Sequence, residues 1–119
     1  MSTNQQSKDI TRLRHMLDHG REAVALLQGK TKAELKNNRV LHLALVRLIE
    51  IVGEAANRVS KGTQEHYPQI PWAQIVGMRN RLIHGYEFLD FDILWQTVTE
   101  DLPKLIDELE QIVPSEEEN

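Results

Sequence analysis

Residues 38–60 read NRVLHLALVRLIEIVGEAANRVS, and this stretch decides the fold. Between Val40 and Val59 its apolar side chains cover most of a helix circumference. Leu41 to Leu45 could alternate locally as a strand, but the segment is too long for one strand, and Leu and Ala favour helix. A helix apolar nearly all round must be buried on several sides. A chain of 119 residues has little other protein to cover it, so a subunit interface is expected. The helix keeps one polar stripe, in which Arg47, Glu50, Glu54 and Lys61 step by three and four along with Asn57 or Arg58. Such a stripe is either a solvated face with ion pairs or a polar wall lining a cleft.

The flanking segments are also helical in pattern. Upstream, Ile10, Leu13, Leu17, Gly20, Val24 and Leu27 form one stripe over about residues 8–28, which Gly29 should stop. Thr31 and Glu34 form a capping box opening a short helix. Downstream, Gly62 is expected to end the central helix, and Thr63 to Ile70 to connect it to a helix opened by Pro71. That helix should run to about His84 and be capped by Gly85. Asp90 or Asp92 can cap a last helix, which Pro103 should kink or split. The expected architecture is all-α, an up-and-down bundle of four to five helices that dimerises. The domain is expected over residues 8–113, between a disordered start at 1–7 and a disordered acidic tail at 114–119.

Composition narrows the function. Cysteine is absent, which excludes disulfides and thiolate metal sites. There is no apolar run of membrane-spanning length and no signal-peptide pattern behind the polar Met1–Lys8, so a soluble cytoplasmic protein without membrane association is expected. The net charge of −4 hides a split. Residues 1–86 carry 13 Lys/Arg against 7 Asp/Glu, whereas residues 87–119 carry 1 Lys against 11 Asp/Glu. The basic part can hold a local polyanion site, or the split can reflect only an acidic last helix and tail. His15 and His19 lie one helical turn apart, but no third ligand stands at a recognisable spacing, so neither a metal site nor a cofactor is expected. Trp72 and Trp95 fit core packing better than base stacking.

The chemistry concentrates in residues 79–86, RNRLIHGY. Arginine offers a fork of donors matched to phosphate oxygens, and histidine can exchange a proton near neutral pH. On an ideal helix Arg79 and His84 stand about 140° apart, whereas Asn80 and His84 share a face. A working site therefore needs the helix to end near His84, or a second subunit to complete a cleft. Equally, Arg79 could simply pair with a carboxylate such as Glu54, while His84 sits satisfied at a helix end and Tyr86 packs on the core.

The arrangement R-x-x-x-x-H, with Asn80 after the arginine and Gly85-Tyr86 after the histidine, resembles the signature of the HepT-like proteins of the HEPN superfamily. The likeness extends through residues 12–17 (RLRHML), 51–55 (IVGEA), 67–72 (YPQIPW), 77–86 (GMRNRLIHGY) and 102–105 (LPKL), and covers about residues 10–112. It implies a homodimeric helical bundle with both motifs facing a cleft between subunits. It further implies a metal-independent endoribonuclease, the toxin of a toxin–antitoxin pair, with RNA as substrate. Arg79 and His84 would be catalytic, with Asn80 supporting; Glu54 is expected to support Arg79 on separate grounds, as a charge on a mostly buried helix where an unpaired charge is costly. Tyr86 would be the tyrosine to which a nucleotidyltransferase antitoxin of the MntA type adds AMP. The alternative is a catalytically inactive module of the same fold that binds nucleotide or RNA, or docks a nucleotidyltransferase.

Overall fold

The computed structural model describes residues 2–84 and 88–114, and within them the chain is all-α apart from one two-residue ribbon. Helix α1 spans Ser2–Leu27, so residues 2–7 are helical where a disordered start was expected. Gly29 follows with φ 76°, the left-handed conformation that glycine adopts without a Cβ clash, and the chain turns there as expected. Thr31 then opens α2 (Lys32–Asn37) through the capping box: its hydroxyl accepts from the Glu34 N–H, and the Glu34 carboxylate accepts from the Thr31 N–H.

Asn38 both ends α2 and caps α3 (Arg39–Arg58), its side chain accepting from the Leu41 N–H at 3.0 Å. α3 is the central helix. It packs against α1 on one side and against the later short helices on others. Leu45, Ile49, Val52 and Ala56 are completely buried. α1 presents Leu13, Met16, Leu17, Ala23 and Leu27 to this core. Its stripe is rotated relative to the expected one: Ile10 is 40% exposed, and Asp9 is buried at 2%. The reason is polar. The Asp9 carboxylate accepts from the Ser60 N–H and hydroxyl at 3.0 and 2.5 Å, from the Thr63 hydroxyl at 2.6 Å, and from Gln5 Nε2 at 3.1 Å.

This knot corrects the expected end of the central helix. α3 ends at Arg58, and Ser60 caps a further short helix, α4 (Lys61–His66), in which Gly62 lies. A single glycine costs a helix only about 1 kcal/mol relative to Ala, less than the bonds that Ser60 gains as a cap held on Asp9. Trp72 is half-buried, and its indole N–H is shared by the carbonyls of Gln64 and Tyr67, consistent with a structural tryptophan.

The segment after Pro71 is not one helix. α5 (Trp72–Val76) and α6 (Met78–Leu82) are separated at Gly77, and the chain then extends as β1 (Ile83–His84), which pairs antiparallel with β2 (Phe88–Leu89). α6 therefore ends at Leu82, with Ile83 as its C-cap residue in place of Gly85. The close approach of α3 and α5 uses Gly53: a Cβ there would stand 3.1 Å from the Ile75 carbonyl oxygen. Asp90 caps α7 (Phe91–Gln96), whose line continues through a π-helical turn (Thr97–Asp101) into α8 (Leu102–Ile112). Pro103 accounts for this break. It lacks an N–H and its ring crowds the carbonyl one turn back, which the wider π turn relieves. The chain is thus divided more finely than four or five helices, although its long elements, α1, α3 and α7–α8, pack as a bundle. Among the described residues no helix is long and apolar enough to cross a membrane.

Candidate active site

α6 is anchored by its apolar face. Met78 and Leu82 are almost fully buried against the core, which fixes the phase of the helix and turns Arg79, Asn80 and Arg81 outward. The Arg79 guanidinium is half exposed. Its Nε lies 3.9 Å from Oε2 of Glu50 on α3, and one terminal nitrogen donates to the Asn80 side-chain oxygen at 3.4 Å. Glu50 in turn accepts from Arg47 at 2.8 Å. The hydrogen bond that Arg47 donates to Glu50 holds its guanidinium still more firmly in the charged form.

Glu54 was the expected partner of Arg79. Among the described residues it instead approaches Arg47, at 3.7 Å, and the carboxylate beside Arg79 is that of Glu50. Both lie on the outer stripe of α3, one helical turn apart, so the sequence left either possible and the placement of α6 decided between them. Asn80 is likewise turned to Arg79. The helical wheel that would have put Asn80 beneath His84 does not apply, because the helix stops at Leu82.

His84 stands in β1, opposite Phe88 in the antiparallel register, and its side chain is 58% exposed. The two rings lie 6.3 Å apart and are tilted by 55°. Nε2 of His84 faces Oδ2 of Asp90 at 3.7 Å. Asp90 is well held: its N–H donates to the Leu82 carbonyl at 2.7 Å, and its Oδ1 accepts from the Ile93 N–H at 3.0 Å as the cap of α7. Sequence reasoning found Asp90 only as a cap. Its nearness to His84 depends on the antiparallel pairing of β1 with β2, which no helical period describes. Tyr86, with Gly85 and Glu87, lies outside the described residues.

The arrangement sets out an arginine and a histidine on one short, anchored segment, each open to solvent and each backed by a carboxylate. An arginine so placed can bind phosphate oxygens, and such a histidine can move protons. Beside the motif, a groove lined by Lys36, Phe88, Phe91 and Asp90 adjoins the β ribbon. Among the described residues no cluster of three or more His, Cys, Asp or Glu side chains could hold a metal ion.

The comparisons with known proteins agree with this motif. A protein of Methanocaldococcus jannaschii is 35% identical over 95 residues, covering 80% of this chain and 87% of its own length. One from Caldanaerobacter subterraneus subsp. tengcongensis is 32% identical over 104 residues, covering 87% of this chain and 93% of the other. Both carry names that assign them, by inference, to the RNases. A protein of Thermococcus cleftensis named "Probable ribonuclease HepT" is 33% identical over 95 residues, covering 76% and 86% of the two chains. No solved structure matches this chain. The family model described as "Ribonuclease HepT-like" matches residues 4–112, which take in the whole bundle and the Arg79–His84 motif, and the chain therefore belongs to the HepT-like ribonuclease family.

Proposed function

We propose that this chain is a metal-independent endoribonuclease that works as a homodimer. In this reading it is the toxin of a toxin–antitoxin pair, silenced when a partner nucleotidyltransferase adds AMP to Tyr86. The observation that carries the ribonuclease reading is the exposure of Arg79 and His84 on a segment whose neighbours Met78 and Leu82 are locked in the core. These two are presented to solvent on an anchored base, where a phosphate can reach them.

The chemistry needs only protein groups. A His84 imidazole takes the proton of the ribose 2′-OH, and the oxygen attacks the adjacent phosphorus. The P–O5′ bond breaks, leaving a cyclic phosphate, and the departing 5′-oxygen takes a proton from a protonated imidazole. Two His84 side chains in a dimer supply one base and one acid. Arg79 stabilises charge on the phosphoryl oxygens. DNA, which lacks the 2′-OH, is not a substrate.

The dimer is supported by apolar side chains that the single chain leaves uncovered, Val40 (79% exposed) and Leu43 on α3 and Phe88 on the ribbon. AMP on Tyr86, two residues after His84, would set a negative phosphate near the arginine and repel the RNA backbone. The decisive experiment is incubation of the wild type and of His84→Ala with total cellular RNA in EDTA. Cleavage by the wild type alone is expected. Equal absence of cleavage would leave a nucleotide- or RNA-binding module, or a docking subunit, as the function.

A further inference from the structure

Asp90 carries more than a helix cap. Its two carboxylate oxygens have different surroundings. Oδ1 accepts the Ile93 N–H, while Oδ2 faces Nε2 of His84 at 3.7 Å. The carboxylate is 29% exposed and the imidazole 58%. Two backbone links make the arrangement stiff. The Asp90 N–H is bound to the Leu82 carbonyl, two residues before His84, and the strand containing His84 is paired with the strand that ends one residue before Asp90. The histidine on one strand and the carboxylate one residue past the other are therefore held side by side.

Among the described residues, three other charges around the ribbon face partners elsewhere. On α6, Arg79 faces Glu50 and Arg81 faces Asp101. On α7, Asp92 pairs with Lys32. Lys36 of α2 lines the adjoining groove. Among the described residues, the carboxylate within 4 Å of the His84 ring is that of Asp90.

We infer that Asp90 is a positioning residue for His84: its Oδ2 oxygen holds the imidazole proton on Nε2, so that Nδ1 is the nitrogen that takes the 2′-OH proton. At 3.7 Å the two atoms stand just beyond hydrogen-bond length; when they close to it, an ionised carboxylate accepts and never donates, so the nitrogen beside it carries the proton in the neutral ring. This assignment rests on the ribonuclease reading for its catalytic consequence, but not for the tautomer itself.

Asp90→Asn is the informative substitution. Asn is as good an N-cap as Asp, so its side-chain oxygen keeps the Ile93 bond and α7 stays capped. Its amino group then faces Nε2 as a donor, and the ring must present a lone pair there and carry its proton on Nδ1. The wrong tautomer at a catalytic histidine removes most of the proton transfer, and a loss of at least about 100-fold in kcat is expected, with KM little changed. Asp90→Ser provides a control that also keeps a cap but offers neither a carboxylate nor an amide, and should fall between the two.

The tautomer is read from ring nitrogen-15 and carbon-proton correlations of labelled protein at alkaline pH, where the imidazole is neutral. The His84 signals are identified by their absence in His84→Ala. The expected result is Nε2–H in the wild type and Nδ1–H in Asp90→Asn, at an unchanged circular dichroism spectrum. An Nδ1–H ring in the wild type, or the same tautomer in both proteins, would overturn the assignment. So would a reversed tautomer with undiminished cleavage. If the wild type cuts no RNA, the ribonuclease reading falls, and the nitrogen spectra still decide whether Asp90 sets the state of His84.

Discussion

Removing the Asp9 carboxylate should weaken the whole bundle, and the structure gives the size of the effect. Asp9 is 2% exposed and receives four hydrogen bonds, which tie α1 to the α3–α4 junction. The bond from Gln5 is replaceable by water, because Gln5 is exposed. The three from Ser60 and Thr63 are not so easily replaced. At about 1–1.5 kcal/mol net for each, Asp9→Ala should cost about 3–4.5 kcal/mol. Asp9→Asn keeps an oxygen for the Ser60 N–H and an amino group toward the hydroxyls, and should cost about half as much. The same group makes stability depend on pH. Burial by itself raises the Asp9 pKa, but the hydrogen bonds from Ser60 and Thr63 outweigh it and hold the carboxyl below its ordinary value of 3.8. A folded pKa below the unfolded one contributes stability that is present above the unfolded value and lost as pH falls through the folded value. Urea unfolding followed by circular dichroism, at neutral pH and in steps below about pH 4, measures both effects. The wild type should lose more stability than Asp9→Asn over the acid range. A cost below about 0.5 kcal/mol for Asp9→Ala, or identical acid profiles for wild type and Asp9→Asn, would refute the argument.

Four further outcomes are expected. Gly53→Ala gains helix propensity but drives a Cβ to 3.1 Å from the Ile75 carbonyl oxygen, so thermal unfolding should show a net loss of about 1 kcal/mol, and a gain would refute the close-packing argument. Glu50→Gln removes the carboxylate beside Arg79 and should lower the KM for RNA by about 2–5-fold, consistent with a partly exposed pair; a larger effect from Glu54→Gln would reverse the assignment of partners. Light scattering should give twice the chain mass of 13.8 kDa for the wild type and the single mass for the double substitution Val40→Asp and Leu43→Asp. Tyr86→Phe should cut RNA nearly as well as the wild type while escaping the partner nucleotidyltransferase; a variant as inactive as His84→Ala would put the phenol in the chemistry.

The sequence by itself determined the helical class, the central position of α3 and the stops and starts with a local cause. Gly29 ends α1 through its own φ, and Thr31, Asn38 and Asp90 cap helices through bonds to residues three positions away. Such signals lie within one turn of chain, so they can be read without knowing what lies across the fold. The motif from Arg79 to His84 was legible for the same reason, as a matter of residue types in order.

Long-range contacts decided the rest. Nothing near Asp9 announces that it will be buried; the donors that hold it come from Ser60 and Thr63, more than 50 positions along. Those donors set where α3 stops and why Gly62 lies inside a helix. Helical periodicity ran the last turn of α6 on to His84, whereas the antiparallel pairing of Ile83 with Leu89 draws that residue into a ribbon. Glu50 and Glu54 were equivalent on the stripe of α3 until α6 packed beside one of them. Asp90 came to face His84 because antiparallel pairing set β2 beside β1, and a strand pairing is a relation between two segments that no single segment encodes.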